Sequence, residues 1–397
     1  MMQRFIVPVA ILATGLYGCG GPSKVGLENR EKAYNRMDLV NAKLVHEQAQ
    51  SAFETGQLER ARTLMIQAID RYPDEPSWYV LMGRILLEQH TLDAAKSMFE
   101  HAIELNEACS ACHYYLGVLH ERWSDDAAAV DHFASACEID PERPQYVLAH
   151  AEALIATGQL NEAGDLVDSH MDRFEHHAGL RHLLAQISML QGEHAEAARH
   201  CEAARLLAPD DDGMAHDLVH MRFSAGDWAG ALVAVDEIKL DSGGIPPVMQ
   251  RLEARSLMAL GRSVEARSIL RSLCEQTPND ADLWRELGLL GWDIGDWNSV
   301  RRAARHLAGL HAWPFEAGLF AALTSRHEGD LETARKQLEA LTNEFPDRPE
   351  AWAVLSGVRM RLGDAAGSSE ALDLAVKWAP YTADASAVSG VYGTHGP

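Results

Sequence analysis

A period of 34 residues is the feature of this sequence that most restricts its fold. Glycine recurs at this spacing or a multiple of it, with one step of 35, at Gly56, Gly158, Gly192, Gly226, Gly261, Gly295, Gly329 and Gly363. Five residues later an alanine ladder keeps the same phase, at Ala61, Ala95, Ala129, Ala163, Ala197, Ala231, Ala266 and Ala334. Such a period predicts a stacked array in which each unit packs only on its neighbours.

Each period predicts two helices. Apolar residues between the landmarks follow helical spacing, as in residues 94–102. The turn glycine supplies the left-handed backbone that ends the first helix, helix A. Prolines such as Pro73 and Pro141 stand where the second helix, helix B, must stop. The sequence therefore predicts an all-α chain of helix-turn-helix units.

The repeated motif resembles that of the tetratricopeptide repeat family. It is clearest at Tyr79/Gly83/Ala95/Phe99/Ala102, Leu116/Gly117/Ala129/Phe133/Ala136/Pro141 and Trp284/Leu287/Gly288/Gly295. The resemblance implies a right-handed superhelical solenoid of about ten repeats over residues 42–382, starting near residues 42, 76, 110, 144, 178, 212, 247, 281, 315 and 349. His90 and Ser124 replace the turn glycine in two units. We expect a hinge at 241–247, where the 35-residue step falls, and a disordered tail at 383–397.

The N-terminus predicts an export signal. Arg4 precedes an apolar run over residues 5–16, which is too short for a membrane span of about 20 residues. Leu16, Gly18 and Cys19 resemble the signal of bacterial lipoproteins, which is cut before a cysteine that is then acylated. The resemblance implies a signal peptide at 1–18 and a lipidated tether and leading helix at 19–41. An ordinary cleaved signal and an uncleaved anchor remain open alternatives.

The residue after the predicted lipidation site and the net charge of the chain indicate where it acts and which partners it excludes. In many Gram-negative lipoproteins a residue other than Asp after the cysteine implies the outer membrane, and Gly20 stands there. We therefore expect a lipid anchor that faces the periplasm. The formal charge of −23 argues against nucleic acid as a partner, because phosphate binding requires clustered Lys and Arg.

A groove of helix A residues is the predicted partner site. In the family, positions 2, 5, 9 and 12 of each helix A, here called the groove positions, line a concave surface that holds peptides. In repeats five to eight they include His182, Met189, His216, His220, Phe223, Arg251, Arg255, Met258, Arg285 and Trp292. The implied partner is a protein segment with acidic and apolar residues. The alternative is solvated charge, with the Met and Trp side chains packed on the next repeat.

One short stretch indicates a competing function. Cys109-Ser110-Ala111-Cys112-His113 has the pattern that attaches c-type haem, which would make the chain a redox protein. His113 also stands at the bulky position of its repeat, where an imidazole needs no cofactor. Export favours oxidation of thiols, so bridges of Cys109 to Cys112, Cys109 to Cys137 and Cys112 to Cys137 all stay open. Cys201 and Cys274 are predicted to be buried packing residues.

No catalytic constellation is evident. His216 and His220 lie one helical turn apart, but no third ligand is indicated, so we expect no metal site. We expect no cofactor and no enzymatic activity. The favoured interpretation is a membrane-anchored scaffold for protein partners in envelope assembly, such as pilus, outer-membrane or exopolysaccharide export machinery.

Overall fold

The computed structural model describes residues 24–379, which form α-helices and contain no strand. These residues divide into two compact units, one ending at Glu175 and one beginning at His176. The first unit has four helix pairs: α1 (Lys24–Glu54), α2 (Leu58–Arg71), α3 (Pro76–Glu88), α4 (Leu92–Leu105), α5 (Ser110–Arg122), α6 (Asp126–Ile139), α7 (Pro144–Ala156) and α8 (Leu160–Met171).

The second unit has six helix pairs. They are α9 (Ala178–Gln191), α10 (His194–Leu207), α11 (Asp212–Ser224), α12 (Trp228–Ser242), α13 (Pro247–Ala259), α14 (Ser263–Gln276), α15 (Ala281–Asp293), α16 (Trp297–Leu310), α17 (Pro314–His327), α18 (Leu331–Glu344), α19 (Pro349–Arg361) and α20 (Ala365–Trp378). Odd-numbered helices are helix A of their repeat. The prediction of an all-α array of about ten helix-turn-helix repeats is confirmed. Only the first repeat lacks its own helix start, because α1 runs through residue 42 without a break.

Glycine in helix A allows helix B to approach closely. A Cβ atom at Gly83 would lie 2.5 Å from Phe99 Cε1, and one at Gly117 would lie 2.6 Å from Phe133 Cε1. Both phenylalanines are fully buried. A larger residue at either glycine would force the helices apart, because protein interiors have no spare volume. The two positions of the motif therefore form one packing unit.

The alanine ladder lies in the same interface. Ala61, Ala95, Ala129, Ala163, Ala197, Ala231, Ala266 and Ala334 are all buried, none more than 1 % exposed. Indole N–H groups link one repeat to the next, since Trp284 Nε1 donates to the carbonyl of Pro278 and Trp352 Nε1 to that of Pro346, both at 2.9 Å. These bonds satisfy the indole N–H groups and the backbone carbonyls where helix B ends.

The turns between helices A and B use the left-handed backbone. All eight glycines of the ladder have positive φ, from 74° to 85°. His90 and Ser124 adopt the same conformation, with φ of 57° and 58°. A side chain in this region costs about 1–2 kcal/mol, because its Cβ crowds the following carbonyl oxygen. These two turns keep the geometry of the others in spite of their residue type.

The predicted hinge lies inside the second unit. Gly243, with φ of 73°, follows α12, and α13 starts at Pro247 and packs on α11 and α12. The boundary between the compact units falls instead at residues 175 and 176. A hinge at 241–247 stays a prediction.

Ser124→Gly should raise the free energy of unfolding of the first unit by about 0.5–1 kcal/mol. Glycine removes the strain of the Cβ atom in the left-handed turn. The greater entropy of glycine in the unfolded chain offsets part of that gain. Gly158→Ser is the matched reverse change. Its turn has the same pattern of backbone hydrogen bonds, and no heavy atom lies within 4 Å of the added Cβ. Urea denaturation should show shifts of opposite sign, and shifts of the same sign would contradict the explanation.

Candidate functional site

Groove positions in the second unit form a row in which each helix A contacts the next. Position 5 is occupied by His182, His216, Arg251 and Arg285 in four successive helices. His182 Nε2 lies 2.9 Å from Asp217 Oδ2, Arg251 Nη2 lies 2.7 Å from Glu286 Oε1, and Arg285 Nε lies 3.3 Å from Glu316 Oε1. Each pair joins two neighbouring repeats. The predicted basic strip is therefore largely paired with carboxylates of the same chain.

Glu286 is shared by two guanidinium groups. Arg251 and Arg255 both donate to its Oε1 atom, with Arg255 Nε at 3.1 Å. The Glu286 side chain is 14 % exposed and that of Arg255 is 41 % exposed. The hydrogen bond to Glu286 raises the pKa of Arg251. Asp280 and Asp282 also act electrostatically on Arg251. Arg255 is the more exposed of the two guanidinium groups.

Trp313 extends this row from the loop before α17. Its backbone is left-handed, with φ of 48°, although the next residue is Pro314, which disfavours that region. The guanidinium of Arg285 lies 4.3 Å from the centre of the Trp313 ring, and Trp313 Nε1 donates to Asp282 Oδ1 at 2.8 Å. These contacts hold a strained, 39 % exposed indole beside a groove position.

The apolar groove residues are half-buried. Met189 and Phe223 pack against one core cluster of the second unit, and Met258 and Trp292 pack against another. These side chains therefore pack on the core, as the second interpretation predicts, and still keep exposed area. Their role as a partner site stays a prediction. His216 is half-buried and His220 exposed. Within residues 24–379, no group of three His, Cys, Asp or Glu side chains could hold a metal ion.

A cleft in the first unit contains a guanidinium that the sequence analysis missed. The cleft, of about 520 Å³, is lined by α1, the start of α3 and the start of α5, and it includes His46, Val80 and Arg84. Arg84 lies over the rings of Phe53 and Tyr115, at 4.7 and 5.4 Å. Among the described residues it makes no ion pair. Arg84 is at groove position 9, so the same rule, applied to the second repeat, would have identified it.

The cysteines of the haem-like stretch are joined to each other. Cys109 and Cys112 form a disulfide, and Cys137 is a free, buried thiol. A bridge to Cys137 is therefore wrong. The pairing leaves neither thiol of the motif for a thioether bond to haem. Cys201 and Cys274 are buried, as predicted. Burial raises the pKa of the Cys137, Cys201 and Cys274 thiols to about 12.

His113 belongs to a cluster of imidazoles between α5 and α6. Its Nδ1 lies 3.4 Å from His132 Nδ1, and the ring of His120 lies 5.2 Å from that of His132. Burial lowers the pKa of His113. Burial and the two neighbouring imidazoles lower the pKa of His132. The rings lie between the two helices, so the histidine of the motif has a packing role here.

The predicted lipidation site, Cys19, lies outside the described residues, as do the signal peptide at 1–18 and the tail at 383–397. Among the helices of residues 24–379, none has the length and apolar character that crossing a membrane requires. The lipid anchor stays a prediction.

Comparison with known proteins identifies the repeat. The profile of the Tetratricopeptide repeat family matches residues 46–95, 80–144 and 247–290. Cellulose synthase operon protein C of Xanthomonas axonopodis pv. citri (strain 306) is 24 % identical over 377 residues. That match covers 86 % of this chain and 24 % of the relative, so this chain spans about a quarter of the length of the curated relative.

Two solved structures are also similar to this chain. A tetratricopeptide repeat protein from Parabacteroides merdae ATCC 43184 matches with a TM-score of 0.44 and 15 % identity, over 61 % of this chain and 95 % of that chain. PilW, described as a widely conserved type IV pilus biogenesis factor, matches with a TM-score of 0.44 and 16 % identity, over 51 % and 94 %. By the match of the family profile, residues 46–144 and 247–290 contain tetratricopeptide repeats.

Thiol labelling should separate the five cysteines of the described residues into two classes. In native protein at pH 8, iodoacetamide should modify none of Cys137, Cys201 and Cys274, because a pKa of about 12 leaves them protonated. Denaturation without reductant should expose these three, and only reduction should add Cys109 and Cys112. Peptide mass spectrometry gives the counts. Labelling of Cys109 before reduction would contradict the assigned bridge.

The ion pair between Arg251 and Glu286 should be measurable by a double-mutant cycle. Arg251→Met, Glu286→Leu and the double variant should give a coupling energy of about 1–2 kcal/mol, since both groups are half-buried and charged. The control is the pair Arg335 and Glu332 on α18, whose carboxylate is exposed and for which we expect weaker coupling. Equal coupling in both cycles, measured by urea unfolding, would contradict a structural role for Glu286.

Proposed function

We propose that this chain, which is built from tetratricopeptide repeats, is a non-catalytic scaffold of the bacterial cell envelope. A lipid on Cys19 would hold it to the membrane, with the outer membrane as the expected site and the repeats facing the periplasm. The helix A rows would bind segments of protein partners. Tetratricopeptide-repeat proteins bind protein partners in this groove, and this supports the assignment of the surface.

The observation that carries the proposal is the sharing of Glu286 between Arg251 and Arg255. Because the ion pairs hold the guanidinium groups in place, a partner would lose little side-chain entropy on binding. Arg255 is the more exposed of the two guanidinium groups, and it forms a basic spot in a chain whose formal charge is −23. A preformed basic spot in an acidic protein is suited to a carboxylate of another chain.

Aromatic side chains define the rest of the partner's chemistry. Trp313 presents an exposed indole face beside Arg285, and Phe223 keeps part of its ring accessible. Exposed Trp and Arg side chains are the residue types that contribute most to binding energy in protein interfaces. We therefore expect a segment that carries an acidic residue for Arg255 and an apolar residue for Trp313.

The choice among envelope processes rests on the curated relative. Its name connects that protein with a cellulose synthase operon, and this supports export of an exopolysaccharide as the process. Since this chain matches 24 % of that relative, the proposal takes from it the process and not a partner. The bond between Cys109 and Cys112 supports the scaffold over the haem-bearing alternative.

Photo-crosslinking in cells should test the groove. A photoreactive amino acid in place of Met258 should capture a partner, and Arg255→Met should lower the yield by roughly tenfold, since a charged hydrogen bond contributes about 1.5–3 kcal/mol. Arg335→Met is the matched control, because that arginine is comparably exposed but lies on helix B of its repeat. Equal yields from both variants, with unchanged unfolding midpoints, would contradict a role for the basic spot.

A further inference from the structure

The bond between Cys109 and Cys112 is not required for a helix to begin at this point. It is the single disulfide within residues 24–379, and other A helices such as α3 and α15 begin without a covalent link. Because the two cysteines are three residues apart, their bond closes a very short loop and restricts the unfolded chain little. Packing of the repeat therefore does not account for the bond between the two sulfur atoms.

The two cysteines differ in their access to solvent. Cys112 is fully buried and belongs to the core of the first unit. Cys109 is 9 % exposed and lines the cleft that contains Arg84, whereas Cys112 is not among the lining residues. A molecule in the cleft can therefore reach Cys109 but not Cys112. Disulfide exchange uses such a difference, because the attacked sulfur must be accessible to the incoming thiolate.

The position of Cys109 also favours its thiolate form. The N-terminus of a helix stabilises negative charge, because the first backbone N–H groups have no partner within the helix. Cys109 stands at this position of α5, and the backbone N–H of Cys112 donates to its Sγ at 3.2 Å. The thiolate is the form that attacks and leaves in exchange reactions. Cys109 is therefore suited both to attack a disulfide and to leave from one.

The cleft can hold a segment of another chain beside Cys109. Its volume of about 520 Å³ is typical of a ligand pocket. Glu75 is the one carboxylate among the lining residues, and it accepts a hydrogen bond from Ser77 Oγ at 3.0 Å. Arg84 makes no ion pair among the described residues, and two aromatic rings hold its guanidinium in place. The cleft therefore suits a segment that has a carboxylate near its cysteine.

We propose that the Cys109–Cys112 bridge is a thiol–disulfide exchange site that links Cys109 to a cysteine of a partner segment in the cleft. The partner's thiolate attacks Cys109 Sγ and forms a new bond between the two sulfur atoms. The bond between Cys109 and Cys112 breaks, and Cys112 leaves as a thiolate that takes up the proton lost by the partner's thiol. One disulfide replaces another, so the step requires no external oxidant or reductant. Attack of Cys112 on the mixed disulfide reverses the step and releases the partner.

Replacement of one cysteine should preserve the linked state. In the native chain Cys112 stays beside the mixed disulfide, so the bridge closes again quickly. Cys112→Ala removes the thiol that reverses the step and leaves Cys109 free in the cleft. Its thiolate should attack oxidised glutathione, release one glutathione thiolate and keep the other glutathione in a stable adduct. Cys109→Ser is the matched control, because serine keeps a capping oxygen for α5 and the remaining Cys112 is buried.

The first measurement uses the full chain and oxidised glutathione without denaturant. Peptide mass spectrometry should find the adduct on Cys109 in the Cys112→Ala variant and no adduct on Cys112 in the Cys109→Ser variant. Peptide mapping also separates these sites from Cys19. Unfolding midpoints establish that both variants are folded. An adduct that forms on Cys109 only in urea, or equally on Cys112 in the control, would overturn the inference.

The native chain gives a second measurement. Reduced glutathione should open the bridge of the folded chain, so that iodoacetamide added without denaturant labels Cys109. Cys137, Cys201 and Cys274 are buried and should stay unlabelled in the same sample. A bridge that reduced glutathione opens only in urea would overturn the inference and assign the bond a purely structural role.

Probes of opposite charge test the part played by Arg84. Oxidised glutathione has carboxylates, whereas cystamine has two amino groups and no carboxylate. In the Cys112→Ala chain, Arg84→Met should slow adduct formation with oxidised glutathione roughly tenfold, since a charged hydrogen bond is lost, and should not slow it with cystamine. Equal slowing with both probes would overturn the assignment of Arg84 to a carboxylate of the partner. None of these readouts involves the groove positions of the second unit, so this inference and the proposed function can fail separately.

Discussion

The close approach of helix A to helix B is the constraint on which each repeat depends. Phe99 and Phe133 occupy volume that a Cβ at Gly83 or Gly117 would need, so helix A has no side chain at that one position. Large side chains around it, such as Trp78 and Ile85 in the second repeat, are buried as well. The groove positions lie on the face of helix A that this packing leaves uncovered. A binding surface thus follows from packing, before any partner is considered.

Stacking of the repeats brings charged side chains of neighbouring A helices into contact. When helix pairs stack at a constant interval, position 5 of one helix A comes next to an early or middle position of the following one. His182 meets Asp217 and Arg251 meets Glu286, each 35 residues ahead. The pair of Arg251 and Glu286 is half-buried, so solvent screens it less than an exposed ion pair. The same pairs fix the side chains that a partner would contact, so folding and preorganisation of the surface have one cause.

Local patterns explain how much of this could be predicted from sequence. The helix pairs, their turns and the buried alanines depend on residues within one period, and helix A starts within one residue of the predicted position from the second repeat onward. The pairing of charges depends on contacts across repeats, which positions in a motif do not specify. Motif positions therefore assign no role to Glu286. They predict that Arg251 and Arg255 bind a partner or stay solvated. Trp313 lies in a loop outside the motif, so no position rule applied to it.

The Cys109–Cys112 bridge shows how context decides what a motif does. In the repeat, Cys109 caps the N-terminus of α5, and its Sγ accepts a hydrogen bond from the backbone N–H of Cys112 at 3.2 Å. The disulfide closes that first turn covalently, and His113 continues the helix into the imidazole cluster with His132. Cys109 also lines the cleft that contains Arg84. The cross-link fixes one wall of the cleft, and the cation–π contacts with Phe53 and Tyr115 fix Arg84 on the other, so the motif has a structural role in the first unit.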